Sequence, residues 1–406
     1  WHNSGLIALG VALQNDSIIN VAINDPECGY HAQMERYVMD DGWWGEGSPT
    51  YHYYPLRAML LSADAVRCRN INLYDRLYKM LAAPASGVYA DLYFPAHNDG
   101  WYGESLIAQV SLYEIAYQRY NKDPFFLSVL QQCYRYTDRN FGEALQNNIE
   151  IPQVTTMAAW PSVHFKETGY AVLRSGTKTV VMKYGPHGGG HGHPDKLSIS
   201  IHDGEKEIVS DMGTCAYGVP AFTKWYRKTL SHSTLTVDAK DQKESTGKLL
   251  AFKAYKDGGE VSAEALGAYS GVAMERRLIL KKNKLTDILT ARSDEQHLYD
   301  YVLMLTERPV FSQTGETIIL NDSPSYNYIK NAIVRKQSSP LSCKIGKAYM
   351  KIEVPDGQEF EVITGEAPGI PPGNGSVLPK YDSPFCYPLI VRVKDKKLRI
   401  KTEWKF

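Results

Sequence analysis

The sequence predicts an α+β, multidomain protein: a helical part over residues 1–153 and an antiparallel β-sandwich over 154–406. Two observations carry this. Apolar residues recur at i, i+3, i+4 spacing up to about residue 150 and with a period of two from about residue 155. A chain of 406 residues also exceeds what one core usually holds, so about two domains are expected.

In the helical part, an apolar helical pattern starts directly after Trp1-His2-Asn3. This looks like the middle of a protein, and an upstream targeting segment or larger region is expected ahead of it. Leu56, Met59, Leu60, Ala63 and Val66 mark one face of a helix opened by Ser48 as N-cap and Pro49 at the first helical position. Leu106, Ile107, Val110, Leu112, Ile115 and Ala116 mark a second helix, and Phe126, Leu127, Val129 and Leu130 a third. The loops between them, residues 40–49 and 95–101, are dense in Gly, Trp, Tyr and Pro, with Trp101 closing the latter. Aromatic loops on a helical scaffold suit a sugar-binding rim.

In the second part, the stretches from Val172, Thr179, Leu197, Ser233, Arg276 and Leu389 alternate as strands and are punctuated by turn residues. Stacked antiparallel sheets are expected from them. Pro368 to Pro372, followed by Gly-Asn-Gly, is the best candidate for a mobile surface loop.

Lys plus Arg and Asp plus Glu balance at 45 each, so no overall field points to nucleic acid. No apolar run is long enough to span a membrane. The six cysteines contain no Cys-x-x-Cys pair, which excludes a zinc ribbon and a thioredoxin motif; buried free thiols are the default, with a disulfide left open. Tyrosine outnumbers phenylalanine 28 to 11, a bias that suits polar grooves where ring and hydroxyl both bind sugar.

Five of the eleven histidines lie between His187 and His232, three of them among the glycines of residues 185–193. Glycine lets backbone fold tightly around a ligand, and imidazole binds metal or exchanges protons near neutral pH. Tyr51, in Glu46-Gly-Ser-Pro-Thr-Tyr51-His52, sits at a loop-to-helix junction, where a hydroxyl could trade protons with a substrate oxygen or the ring could simply pack as core. His193, Asp211 and His232 form a trio whose donors suit a divalent ion such as zinc, while an ordinary hydrogen-bonded core histidine remains the alternative for His232.

His191-Gly-His-Pro-Asp-Lys-Leu-Ser198, Val209-Ser-Asp-Met-Gly-Thr214 and Trp225 through His232 to Asp238, in this order and spacing, resemble the heparinase II/III-like polysaccharide lyases. Glu46 to Tyr51 resembles the helical part of that group, and Tyr51-His-Tyr-Tyr-Pro-Leu with Pro95-Ala-His-Asn-Asp-Gly look closest to its exolytic oligoalginate-lyase branch, which also holds heparin-degrading relatives. The resemblance implies the C-terminal part of an (α/α) toroid, a β-sandwich after it and an active cleft between them. It also implies further toroid helices upstream, a structural Zn2+ on His193, Asp211 and His232, no organic cofactor, and a periplasmic or secreted enzyme.

The implied reaction is β-elimination at a uronic acid of an acidic polysaccharide or oligosaccharide, either alginate or a heparin/heparan-type polymer. A base removes the C5 proton once the neighbouring carboxylate is neutralised, and an acid protonates the departing O4. By motif, Tyr51 and His191 are the main catalytic candidates. His2 and Asn3 resemble the carboxylate-neutralising pair, and Tyr226 or Tyr217 a second tyrosine. His52, His187, Arg227 and Trp101 are candidate substrate contacts. Two alternatives stand beside this: a glycoside hydrolase drawing on Glu46, Asp99 and Glu104, and a carbohydrate-binding protein without proton-transfer groups.

Overall fold

Side-chain caps mark the start of two helices in the first part. A computed structural model describes residues 1–140, 148–152, 160–355, 357–369 and 385–406. Among them, seven α-helices occupy the first part: α1 His2–Ala12, α2 Asp16–Asn24, α3 Tyr30–Tyr37, α4 Pro49–Ala65, α5 Leu77–Ala85, α6 Val110–Arg119 and α7 Pro124–Cys133. Asn15 caps α2 by accepting the Ser17 and Ile18 amides, and Asp123 caps α7 ahead of Pro124. Ser48 does hold the N-cap position of α4 with Pro49 next, yet its hydroxyl makes no cap bond. The expected face of α4 is buried, through Leu56, Met59, Leu60 and Ala63. Val66 falls just past it, on a short 3-10 turn.

The strands are all antiparallel and join into one network. Its spine is a pair of long strands, Lys284–Leu305 and Phe385–Lys405, in register along their lengths apart from a shift between Arg292 and His297. Alternation along them fills two cores. Tyr301, Leu303, Leu389 and Val391 enter one, whereas Val302, Met304 and Ile390 enter the other with Trp225 and Tyr326. A sheet with period two and both faces apolar must be covered on both sides.

Burying so much sheet also buries charge, and each charge has partners. Arg276 is fully buried and forms a two-point pair with Asp287 (2.9 and 2.6 Å) while donating to the carbonyls of Leu197 and Ser233. Tyr301 completes the Asp287 shell. The guanidinium thereby fixes Leu197, a buried leucine held at φ +62°, a conformation that side chains with a Cβ seldom adopt.

The chain forms two compact units, and they are not two continuous halves. The first holds residues 1–88 and the described residues of 105–152; the second holds residues 89–104 together with the described residues from 160 on. The expected boundary at 153/154 falls outside the described residues, as does most of the Pro368 to Pro372 loop. Contact, rather than sequence continuity, assigns residues 89–104 to the β unit. Tyr89 and Tyr102, near its two ends, both donate to the buried carboxyl of Glu207 (2.5 and 2.7 Å), and Asp91 bonds His202 at 3.0 Å. The cysteines are all free, but Cys28 and Cys68 are exposed, a departure from the expectation of buried thiols.

Candidate active site

Residues 95–101 and 185–196 meet within the β unit, and glycine makes the second stretch possible. Gly188 and Gly189 take positive φ to start the 3-10 turn Gly189–His191, and a Cβ on Gly192 would lie 1.8 Å from the His187 carbonyl oxygen. This turn presents His191 partly exposed while His193, two residues on, is buried.

Asp99 joins the two imidazoles. Its Oδ2 lies 3.0 Å from His191 Nδ1 and its Oδ1 3.0 Å from His193 Nε2, and its own amide donates to the His191 carbonyl at 3.1 Å. Burial works against the Asp99 charge, but the bonds from His193 and His191 outweigh it and hold the carboxyl below the usual range. Burial pulls His193 down to about 4, so it is neutral at physiological pH. Tyr217, largely exposed, brings its hydroxyl to 3.3 Å from His191 Nδ1 and 3.4 Å from Asp99 Oδ2. Asn98, at φ +58°, accepts the His193 amide and a proton of the buried Lys183 ammonium.

Behind His193 lies a cluster that differs from the expected trio. Asp195, Asp211 and His232 are brought together, their ligand atoms all within 4.8 Å of one another. His193 stands beside them, with its ring centroid 5.2 Å from that of His232 and its Nε2 committed to Asp99. Asp195 enters because the turn after Pro194 folds its carboxylate inward onto Lys183 at 2.6 Å. Burial opposes the charge on Asp195, and Lys183 and Lys196 more than compensate, holding its pKa far below the ordinary value. Burial alone would discharge His232, but Asp211, bonded to it at 3.1 Å, raises its pKa instead.

The cluster passes a test of fit for a cation. His193 Nδ1, His232 Nε2 and Asp195 Oδ1 are buried with no hydrogen-bond partner. These three atoms beside a second carboxylate form a donor set of the N and O type that a divalent ion accepts, although Lys196 Nζ also lies 3.8 Å from Asp195 Oδ1.

Other candidates are placed differently. Tyr226 is buried, its hydroxyl donates to the Gly369 carbonyl at 2.7 Å and burial raises its pKa, so of the two β-unit tyrosines it is Tyr217 that stands at His191. Arg227 spends one donor on the Gly192 carbonyl (2.8 Å) and lies over the Phe222 ring, bracing the histidine turn. His187 is half-buried near Glu244, and Trp101 is partly exposed on the segment that carries Asp99.

In the helical unit, Tyr51 lies partly exposed on the first turn of α4 and His2 is exposed at the start of α1. Asn3 donates to the Cys28 carbonyl at 2.6 Å. His52 departs from its expected role as a substrate contact. It is fully buried, accepts the Trp44 amide at Nδ1 and bonds the Met80 carbonyl at 2.7 Å through Nε2, and burial lowers its pKa to about 4. Its ring nitrogens are used in holding α4 to the preceding loop and to α5.

Residues 157–310 match the family model described as heparinase II/III-like, C-terminal. Among individual proteins, the chain is 27% identical over 350 residues to an alginate lyase of Stenotrophomonas maltophilia, covering 75% of this chain and 46% of the relative. It is 24% identical over 355 residues to an exo-oligoalginate lyase of Saccharophagus degradans, covering 74% and 48%. The fold matches heparan sulfate lyase HepC from Pedobacter heparinus with a TM-score of 0.72 at 15% identity, over 99% of this chain and 59% of that one. The chain thus spans about half the length of the curated relatives it matches.

Among the described residues no helix is long and apolar enough to cross a membrane.

Proposed function

We propose that the chain provides the catalytic residues of a polysaccharide lyase that cleaves a uronic-acid polymer or oligomer, alginate or a heparin/heparan-type chain, by β-elimination. The observation that carries this reading is His191, held by Asp99 beside the Tyr217 hydroxyl on a glycine turn. It lies inside the stretch that matches the heparinase II/III-like model. Relatives named as alginate lyases support the substrate class.

In the proposed reaction a base takes the C5 proton, the C4–O4 bond breaks, a C4=C5 double bond forms and O4 leaves with a proton. His191 is assigned to neutralise the uronate carboxylate or to accept the C5 proton, because imidazole can exchange a proton near neutral pH. Tyr51 is assigned to protonate O4. Tyr217 replaces Tyr226 as the second tyrosine, since its hydroxyl already bonds the His191–Asp99 pair. The hydrolase alternative loses one of its carboxyls, because both Asp99 oxygens accept from imidazoles.

Asp195, Asp211 and His232, with the orphaned Nδ1 of His193, are the residues proposed to hold a divalent ion. A bound zinc would supply structural cross-linking of the strands behind the histidine turn. A polymer of this class is met outside the cytoplasm, which favours a periplasmic or secreted setting.

The test follows absorbance of the unsaturated uronate while the protein is incubated with alginate, heparin, heparan sulfate, chondroitin sulfate and hyaluronan. An absorbing product from at least one substrate is expected, with turnover lowered about 10²- to 10⁴-fold in Tyr51→Phe, the span of a proton-transfer step. Bond cleavage without the chromophore would indicate a hydrolase and refute the reading.

A further inference from the structure

Asp99 gives one oxygen to each of two imidazoles whose tasks differ. Its carboxylate is buried, and each imidazole nitrogen stands 3.0 Å from it. A lone pair facing a carboxylate oxygen at this distance would be repelled, so each nitrogen must present N–H. For His191 the protonated nitrogen is then Nδ1, and Nε2 carries the lone pair. For His193 the assignment is reversed: Nε2 carries the proton and the buried, partnerless Nδ1 is bare.

We infer that Asp99 is a positioning residue that fixes opposite tautomers in His191 and His193 through one carboxylate. This rests on the proposed role of His191 and deepens it. In the fixed tautomer the basic nitrogen of His191 is the one turned away from Asp99, and the bare nitrogen of His193 is the one not held by Asp99. The carboxylate is itself located by the Asp99 amide on the His191 carbonyl and by the neighbouring Asn98, which accepts the His193 amide at 3.2 Å. Tyr217 adds a donor to the same Asp99 oxygen that holds His191. Moving the proton to the other nitrogen of either ring would break a bond to a buried carboxylate and set two lone pairs against each other.

Asp99→Asn keeps size and shape but offers one acceptor and one NH₂ donor, so only one imidazole can keep its tautomer. The direct measurement is made on the intact wild-type protein, with histidine labelled in the ring nitrogens. Long-range nitrogen–proton correlation spectra are recorded above the pH at which imidazole is charged, and His191 and His193 signals are assigned by loss in His191→Ala and His193→Ala. The expected result is a protonated Nδ1 in His191 and a protonated Nε2 in His193, with one of the two reversed in Asp99→Asn. Steady-state rates on the substrate found by the absorbance assay should show kcat lowered by at least about 10²-fold with KM changed less than about threefold. A carboxylate-to-amide change beside a catalytic imidazole elsewhere lowers kcat by about 10⁴.

A wild-type spectrum with Nε2 of His191 protonated overturns the inference, and needs no folded variant to do so. Wild-type kcat in Asp99→Asn overturns it as well. By contrast, full activity in His191→Ala would refute the lyase assignment of His191 while leaving the wild-type spectrum to decide the tautomers.

Discussion

Replacing Glu207 with Gln should remove a pH dependence of stability that the wild type carries. Glu207 is buried and receives hydroxyls from Tyr89, Tyr102 and Ser210 at 2.5, 2.7 and 2.8 Å. Burial pushes its carboxyl up from an ordinary 4.5 to about 7, the three hydroxyl bonds offsetting part of the cost. Because the folded value is raised, the neutral carboxyl contributes stability that is fully present below about 4.5, and that contribution is lost as pH rises through about 7. At about 1.4 kcal/mol per tenfold change in proton affinity the whole loss is about 3 kcal/mol, of which roughly 2.5 kcal/mol falls between pH 5 and 8. Glutamine stays neutral throughout. Guanidinium unfolding of both proteins across this range, followed by tryptophan fluorescence, should show Glu207→Gln gaining on the wild type by about 2 kcal/mol at the alkaline end relative to the acid end. A stability difference that stays constant from pH 5 to 8 would refute the reasoning, since Glu207 would then titrate alike folded and unfolded.

Three further outcomes follow from the β unit. His191→Ala should reduce single-turnover rate by at least about 10²-fold while affinity changes little, because charge neutralisation matters most as the C5 carbanion develops; equal single-turnover rates would move the role to another histidine. Elemental analysis should find about one zinc per chain, and chelation should lower the melting temperature before it lowers the saturated rate; metal-free protein of unchanged stability would leave Asp195, Asp211 and His232 as a hydrogen-bonded cluster. Arg276→Met strands Asp287 without its cation and should cost about 3–5 kcal/mol, with much of it recovered when Asp287 is also made apolar; a thermally unaltered single variant would show that the pair carries no such penalty.

Much of the β unit was legible because burial writes a period of two. Val391 and Ile390 face different cores, and their alternation shows in the sequence. The α4 face was readable for the same kind of reason, at helical spacing. The histidine turn announced itself through glycine. Lys183 left no such signal: a lysine ending a run such as Thr-Val-Val-Met-Lys reads as facing water, because an ammonium is seldom buried, and the Asp195 carboxylate with the Asn98 side-chain oxygen makes its burial tolerable. Asp195 stands in the same histidine segment, but a carboxylate beside two histidines gives no sign in the sequence of folding inward. Asp99 reads in sequence only as a loop carboxyl that could serve hydrolysis, since a sequence cannot show that residues 92 and 94 positions further on will fold back onto it. His52 misled in the opposite direction, as an imidazole beside a candidate tyrosine whose nitrogens prove to hold backbone.

The placement of residues 89–104 in the β unit has a consequence for synthesis of the chain. Tyr89 must wait for Glu207, 118 residues later, before its hydroxyl finds an acceptor. At roughly 5–20 residues per second, this wait lasts about 6–24 seconds on the ribosome. For most of it, Asp99 and the aromatic rings around it lack their β-unit partners, while the helices on either side in sequence can already form their local hydrogen bonds. Segment 89–104 is therefore open to a protease or a chaperone while the chain is being made, and a ribosome paused shortly after residue 152 would hold it in that condition.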